Sequence, residues 1–300
     1  MILAQQLQGP AESIPVLCVY GQQHVASIRD ILIPALASQS LPAGRALSLH
    51  LVNYQNNQAL FAEVGHSPVR IHDWSSARPS EHIGFGEGVN FLVQQAAPPE
   101  CFFLVNPDSF PMEHCLEGLL ARFAREEGAG IVEAHQWPGE HPKEYDAETL
   151  ETPWASGAFS LISAPVFRAL GGFDPVYFLY TEDVDLSWRV WLAGYRVIYE
   201  PAALAAHFTG LFSYRPDRFY HEHFFCGRNF LVISYKFFGK QGEAQALTML
   251  KAAPFPASFK EQILTSYLAV KPGVIRYSGK VDVPQLKILG FNRFHELRTA

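Results

Sequence analysis

The sequence contains no apolar run of 18 residues, so nothing in it reads as a membrane-spanning helix. Its opening, MILAQQLQGP, lacks the charged start, long apolar centre and small-residue cleavage site of a secretory signal. Together these absences predict a cytoplasmic protein. Cysteine is sparse: Cys18, Cys101, Cys115 and Cys226 stand apart with no C-x-x-C pair, which predicts reduced core thiols and argues against a disulfide framework or a zinc site. No G-x-x-x-x-G-K-[ST] segment is present, which excludes a P-loop nucleotidase. Helix-turn-helix, zinc-finger and aromatic RNP patterns are missing too, so nucleic acid is not an expected partner. There is no internal repeat, and charged residues make up only 17% of the chain.

With 300 residues, 48% of them hydrophobic, the chain can bury a large α/β core. PVLCVY (15–20) reads as a buried strand and 25–36 as a helix with Ile28, Ile31, Leu32 and Leu36 on one face. LSLHLV (47–52) is a second strand, 89–95 is helical, and CFFLV (101–105) is an apolar strand ending at Asn106-Pro107-Asp108. Residues 128–151 are polar and read as a surface excursion. A short helix is expected over 165–170. Thr181 is placed to cap a helix reaching Ala193, with Gly194 as its stop and a strand at 195–199. Helical patterns follow at 219–238 and 244–251. Strands alternating with helices predict a mostly parallel sheet covered on both faces, with ligands at the carboxyl ends of its strands. Asn53 and Asp108 both lie at such ends.

Charge is scarce but unevenly spread. Residues 1–214 hold 10 basic and 23 acidic side chains, whereas 215–300 hold 13 and 6. The basic segment suits either a solvated surface or an anionic lipid or phosphate-bearing partner. The densest acidic cluster is YTEDVDLSWR (180–189). Acids in a helix's first turn complement its dipole, and Asp185 can pair with Arg189 four residues on. That accounts for the positions but not for the apolar stripe of Val184, Trp188, Trp191 and Leu192, which presses the helix into the core. Its first turn then opens toward the strand ends, where Asp108 also points, and carboxylates converging there suit a hard cation or a proton acceptor. Asn106-Pro107-Asp108 is equally readable as a simple turn. GFGEGVN (84–90) is not a dinucleotide fingerprint, because its third glycine comes one place early and no strand precedes it. His207 is readable as a structural histidine or as a ligand for metal or phosphate.

Taken in order, PVLCVYGQQ, LASQSLP, IGFGEGVNFLVQQA, FFLVNPDSFP, WASGAFSLI, FRALGGFDPVYFLYTEDVDLSWRVWLAGYRVIYEP, AAHFTG and GRNFLV resemble the family 2 glycosyltransferases of the GT-A fold, in particular their rhamnosyltransferase-like branch. The resemblance spans about residues 14–236 and is most specific from Trp154 to Gly210. It implies an α/β GT-A domain over 1–214, with a mostly parallel mixed sheet flanked by helices, and a basic, mainly helical extension over 215–300. It further implies Mg²⁺ or Mn²⁺, a nucleoside-diphosphate sugar donor, and a glycan or lipid-linked acceptor; the basic charge of 215–300 adds the expectation of a peripheral contact at the inner membrane face.

Residue by residue, the resemblance puts Asp183 in the role of catalytic base with Glu182 beside it. Tyr20, Asn53, Gly84, Asn106 and Asp108 fall on the donor side, Asp108 and His207 at the metal. Trp154, Ser156, Gly157, Asp185 and Arg189 fall near donor and acceptor. Asn106 replaces the first acid of a strict D-x-D, and Asn53 replaces a base-reading Asp. A glycoside hydrolase, which also sets two carboxylates about a sugar, and a non-catalytic carbohydrate- or lipid-binding protein on the same scaffold remain the alternatives.

Overall fold

A computed structural model describes residues 12–61, 68–78, 82–138, 144–208 and 216–296. Eight strands form one sheet: β1 (Glu12–Tyr20), β2 (Arg45–Asn53), β3 (Val69–Asp73), β4 (Cys101–Val105), β5 (Ser109–Pro111), β6 (Ala129–Trp137), β7 (Phe159–Ser163) and β8 (Arg196–His207). Their order across the sheet is β3-β2-β1-β4-β7-β6-β8-β5. β3, β2, β1 and β4 run parallel, so the chain leaves β1, β2 and β4 at one common edge. β7 is antiparallel to both β4 and β6, β8 is parallel to β6, and β5 is antiparallel to β8. The sheet is therefore mixed, as expected. CFFLV and most of β1 and β2 are buried on both faces, which is why they read as continuous apolar runs.

Two apolar layers sandwich the sheet. On one face the helical stretch running through Ile28–Leu32 and Ile33–Ala37 and the Cys115–Arg125 helix bury Ile28, Leu32, Leu36, Leu116 and Leu119 against Leu49, Phe103 and Val132. On the other face lie the Phe85–Ala96, Ala164–Ala169 and Glu182–Leu192 helices. The same layer continues without a break into Phe230, Leu231, Ile233 and Phe237 of the Pro216–Ala252 helix and into Ile263, Tyr267 and Phe294 beyond it. Trp188 shows the continuity: it is fully buried and meets Phe237, Phe238 and Phe294 edge-on, with ring centroids 5.2, 5.9 and 5.6 Å away. The expected division at 214/215 itself falls outside the described residues.

Three local expectations are corrected. Residues 129–137 are not a surface excursion but strand β6, whose Glu133 and Gln136 are each 1% exposed. β8 extends well past Tyr199: its register against β6 shifts between Ala134 and His135, and the bulge lets Pro201 sit exposed in the strand without breaking the ladder. Helical residues 219–238 and 244–251 belong to one long element interrupted at Gly239, whose φ of 62° and ψ of −148° are nearly restricted to glycine.

Candidate active site

β4 ends at Val105, and the chain turns through Asn106-Pro107-Asp108 into β5. Ser109 N–H donates back to the Asn106 carbonyl at 3.0 Å, closing the turn. β5 pairs with β8 so that Ser109 faces His207, and Phe208 N–H donates to the Asp108 carbonyl at 3.0 Å. Asp108 and His207, 99 positions apart in the chain, thus meet with Oδ1 and Nε2 3.6 Å apart. Behind them runs a buried relay. His207 Nδ1 lies 2.8 Å from Gln136 Oε1, the Gln136 amide donates to Glu133 Oε1 at 3.2 Å, and Ser156 N–H donates to the same oxygen at 3.0 Å.

The relay decides how the imidazole is oriented. Glu133 Oε1 is an acceptor, so the Gln136 NH₂ faces it and the Gln136 carbonyl faces His207 Nδ1. Nε2 is turned toward an Asp108 carboxylate oxygen. Two electron-pair donors aimed at a common space, the imidazole oriented from behind by an amide, are a donor set suited to a divalent cation. Mg²⁺ and Mn²⁺ sites need only one or two protein carboxylates when substrate phosphates complete the shell, so these residues fit such an ion. Among the described residues no group of three or more His, Cys, Asp or Glu forms a full protein cage.

Asp183 reaches the same edge from another direction. It sits in the first turn of the Glu182–Leu192 helix, half-buried, where the helix dipole favours the carboxylate. Its Oδ2 accepts the Gly157 N–H at 3.2 Å, and the next residue binds the other cluster: the Ala158 carbonyl accepts the Asn106 N–H at 2.9 Å. The three-residue turn Ser156–Ala158 therefore touches Glu133 through Ser156, Asp183 through Gly157 and the Asn106-Pro107-Asp108 turn through Ala158. Asp183 and the turn that carries Asp108 are thus tied to one short segment. Asp108 also lines a cleft of about 270 Å³ with Gln23, His24, Ser27, Asp30 and Phe208.

The other acids of the cluster are placed differently. Glu182 is 5% exposed, and its Oε2 is buried without a hydrogen-bond partner. Burial, reinforced by the neighbouring Asp183 and Asp185 charges, holds its carboxyl well above the ordinary range. Asp185 is fully buried. Burial pushes it up, but Arg189 and Lys236, each 2.6 Å away, outweigh that and hold it below the ordinary carboxylate range. Tyr177 OH donates to it at 3.2 Å, and Arg189 also donates to the Leu170 carbonyl at 2.9 Å. Asp185 and Arg189, expected near substrate, instead spend their charges on each other and on the helix packed above them.

The remaining expected residues support the edge rather than project from it. Tyr20 is fully buried and donates to Asp73 Oδ2 at 2.6 Å. Asn53 is buried at the end of β2. Its Nδ2 donates to Asn56 Oδ1 and the Gln58 carbonyl, and its Oδ1 accepts the Gln55 N–H. Asparagine rather than aspartate fits there because the turn requires two donors, which a carboxylate lacks. Gly84 starts the Phe85–Ala96 helix against the 178 loop, where an added Cβ would lie 2.4 Å from the Phe178 carbonyl oxygen. Trp154 is 8% exposed and donates from Nε1 to His295 Nδ1 at 3.0 Å, so the C-terminal segment covers it.

Sequence reasoning missed Glu133 and Gln136 behind His207, Asp73 behind Tyr20, and Arg228 and Asn229 against the loop that leads to the Asp183 helix. Glu133, Arg228 and Asn229 are polar side chains beside apolar runs, a signal that could have found them, whereas Asp73 and Gln136 stand among other polar residues and carry no such signal.

No family model matches the chain. Among solved structures, GalNAc-T7 with UDP, GalNAc and Mn²⁺ superposes with a TM-score of 0.57 at 11% identity, covering 89% of this chain and 57% of that one. The mannosyltransferase PcManGT of Pyrobaculum calidifontis with GDP-Man and Mn²⁺ superposes with a TM-score of 0.52 at 13% identity, covering 86% and 69%. The chain has the GT-A glycosyltransferase fold. Within that fold, one stretch is 42% identical over 68 residues to rhamnosyltransferase WbbL of Escherichia coli (strain K12), 23% of this chain and 26% of the relative. Another match, 44% over 62 residues, is to the N-acetylglucosaminyl-diphospho-decaprenol L-rhamnosyltransferase of Mycobacterium tuberculosis, 20% of each chain. The matches thus span about a quarter or less of the relatives' length, and the rhamnosyltransferase resemblance of this GT-A chain is local in sequence.

Proposed function

We propose that this chain is an inverting, metal-dependent glycosyltransferase that moves a sugar, rhamnose first among candidates, from a nucleoside-diphosphate donor to a hydroxyl of a glycan or lipid-linked acceptor. The observation that carries the reading is the Ser156–Ala158 turn, bonded through Gly157 to Asp183 and through Ala158 to Asn106. The GT-A fold and the rhamnosyltransferase relatives support it, as do two neighbours crystallised with nucleotide or nucleotide sugar and Mn²⁺.

Asp108 and His207 would hold the cation, which would supply charge neutralisation for the departing diphosphate. Asp183 accepts the proton of the acceptor hydroxyl as its oxygen bonds the anomeric carbon and the bond from that carbon to the diphosphate oxygen breaks. Attack on the face opposite the leaving group inverts the configuration. We assign this task to Asp183 because Glu182 is buried, with its carboxyl held well above the ordinary range, and Asp185 is tied up in ion pairs. Glu133 and Gln136 hold His207 in the orientation that presents Nε2, and the Gly157 N–H orients the Asp183 carboxylate. A peripheral contact of the basic segment with anionic lipid belongs to the same proposal, and absence of binding to anionic vesicles at any salt concentration contradicts that part.

The donor half is tested by thermal unfolding with nucleoside diphosphates and their sugars, with Mn²⁺ or Mg²⁺ and with a chelator. At a hundredfold excess over Kd, a true ligand stabilises by about 2.7 kcal/mol. The expected outcome is a nucleotide-dependent rise in Tm that needs the cation and is lost in Asp108→Ala. A rise that persists in chelator and in the variant contradicts the metal assignment.

A further inference from the structure

The residue pair Arg228-Asn229 lies in the helical extension, well beyond Asp183 along the chain, yet both side chains reach the segment that delivers Asp183. Asn229 is fully buried, and its Nδ2 donates to two successive carbonyls, Leu179 at 2.8 Å and Tyr180 at 2.6 Å. Arg228, 6% exposed, donates from Nε to Asn229 Oδ1 at 2.8 Å and from a terminal nitrogen to the Val176 carbonyl at 3.1 Å. The guanidinium can only donate, so it fixes which end of the Asn229 amide faces the turn.

That turn is one the chain does not adopt unaided. Tyr180 and Thr181 both have left-handed backbone angles, with φ of 67° and 72°, and neither is glycine. Thr181 is β-branched, the kind of residue for which this region is least accessible. Its hydroxyl makes no capping bond to the helix it precedes, contrary to the capping role expected from sequence, and the first helical contact is Asp185 N–H to the Thr181 carbonyl at 3.0 Å. Asp183 is two residues beyond. Residues in such conformations persist where surrounding structure over-determines them, and here the over-determining groups come from the extension.

We infer that Arg228 and Asn229 are positioning residues for the transferase chemistry: Asn229, oriented by Arg228, holds the left-handed turn at 180–181 and so sets the first helical turn that aims Asp183. The inference rests on the reading of Asp183 as the base. It makes the extension part of the active site's architecture, since the chain up to 214 carries the base but not the clamp that aims it. Phe85 N–H, which donates to the Phe178 carbonyl at 3.0 Å, secures the same loop from the donor side.

The test is Asn229→Leu, assayed for kcat and donor KM alongside Asp183→Asn and the double variant Asn229→Leu/Thr181→Gly. Misplacement by about 1 Å is enough for a hundredfold loss. Asn229→Leu is expected to lose about 10- to 100-fold in kcat with donor KM changed less than about threefold. Thr181→Gly, which makes the left-handed angle accessible without a clamp, is expected to restore most of that loss. Wild-type kcat in folded Asn229→Leu overturns the inference, as does a loss that the glycine leaves unrepaired. If Asn229→Leu is poorly folded, the double variant must still show a higher kcat in its folded fraction than the folded fraction of Asn229→Leu, and failure to do so counts against the clamp. Full turnover in Asp183→Asn strikes the base assignment instead, so the two failures are distinguishable.

Discussion

Two adjacent carboxyls, Glu182 and Asp183, sit in different surroundings. Asp183 is half-buried, and its oxygens accept the Gly157 N–H and, at 2.8 Å, the Val184 N–H. Glu182 has no partner for Oε2, and burial favours its neutral form. Folding therefore raises the Glu182 pKa above the unfolded value of about 4.3. Such a group contributes its full stability below that unfolded value and loses it as pH rises toward the folded one. Replacing Glu182 by Gln, which cannot ionise, is expected to leave stability unchanged near pH 4 and to raise it by about 1–3 kcal/mol at pH 8. Thermal unfolding at the two pH values measures this. With the base role proposed for Asp183, turnover should be largely retained; abolished turnover would shift that role to Glu182.

At the scale of elements, the Phe85–Ala96 helix meets the loop leading to Asp183 through glycines. An added Cβ would fall 2.4 Å from the Phe178 carbonyl oxygen at Gly84 and 2.8 Å from the Phe173 Cβ at Gly86. The backbone oxygen cannot swing aside as a side chain can, so Gly84→Ala must displace the 178 loop. The expected cost is about 1–3 kcal/mol of stability, accompanied by reduced turnover because Tyr180 and Thr181 follow in the same loop. A Tm and a turnover rate both equal to wild type would contradict the docking role.

The glycines were legible as a motif and their purpose was not, because close approach of two segments distant in sequence leaves no local trace. β6 was misread for a related reason. Its polar side chains suggested surface, whereas Glu133 and Gln136 are buried to support His207 and the Ser156 turn. β4, the Glu182–Leu192 helix and the strand-end location of Asp108 were all readable, since apolar runs, helical periodicity and turn residues are local signals. Asp185 with Arg189 was readable as an i,i+4 pair, but the third partner, Lys236, could come only from the fold.

Across the whole molecule, the uneven charge of the two segments is partly resolved by their contact. Lys236 pairs with Asp174 and Asp185 at 2.6 Å, and Lys287 with Glu144 at 3.2 Å, each joining a cation of the extension to an acid of the larger segment. Lys236 and Asp185 are buried, where removing one partner is costly, so these ions fix how the extension sits over the Asp183 helix. The assembled molecule thereby sets Asp183 beside the short turn that also binds Asn106, with the extension packed against the loop before Asp183 and with Asp108 and His207 at the sheet edge.

The central claim is that Asp183 takes the acceptor's proton beside a donor bound at Asp108. The most direct measurement is transfer of labelled sugar by Asp183→Asn, compared with wild type in the same metal and nucleotide-sugar conditions, with donor affinity measured in parallel. The account predicts donor binding close to wild type and turnover lower by about 10²- to 10⁴-fold, the range ascribed to a positioned base. Transfer by the variant at the wild-type rate would contradict it.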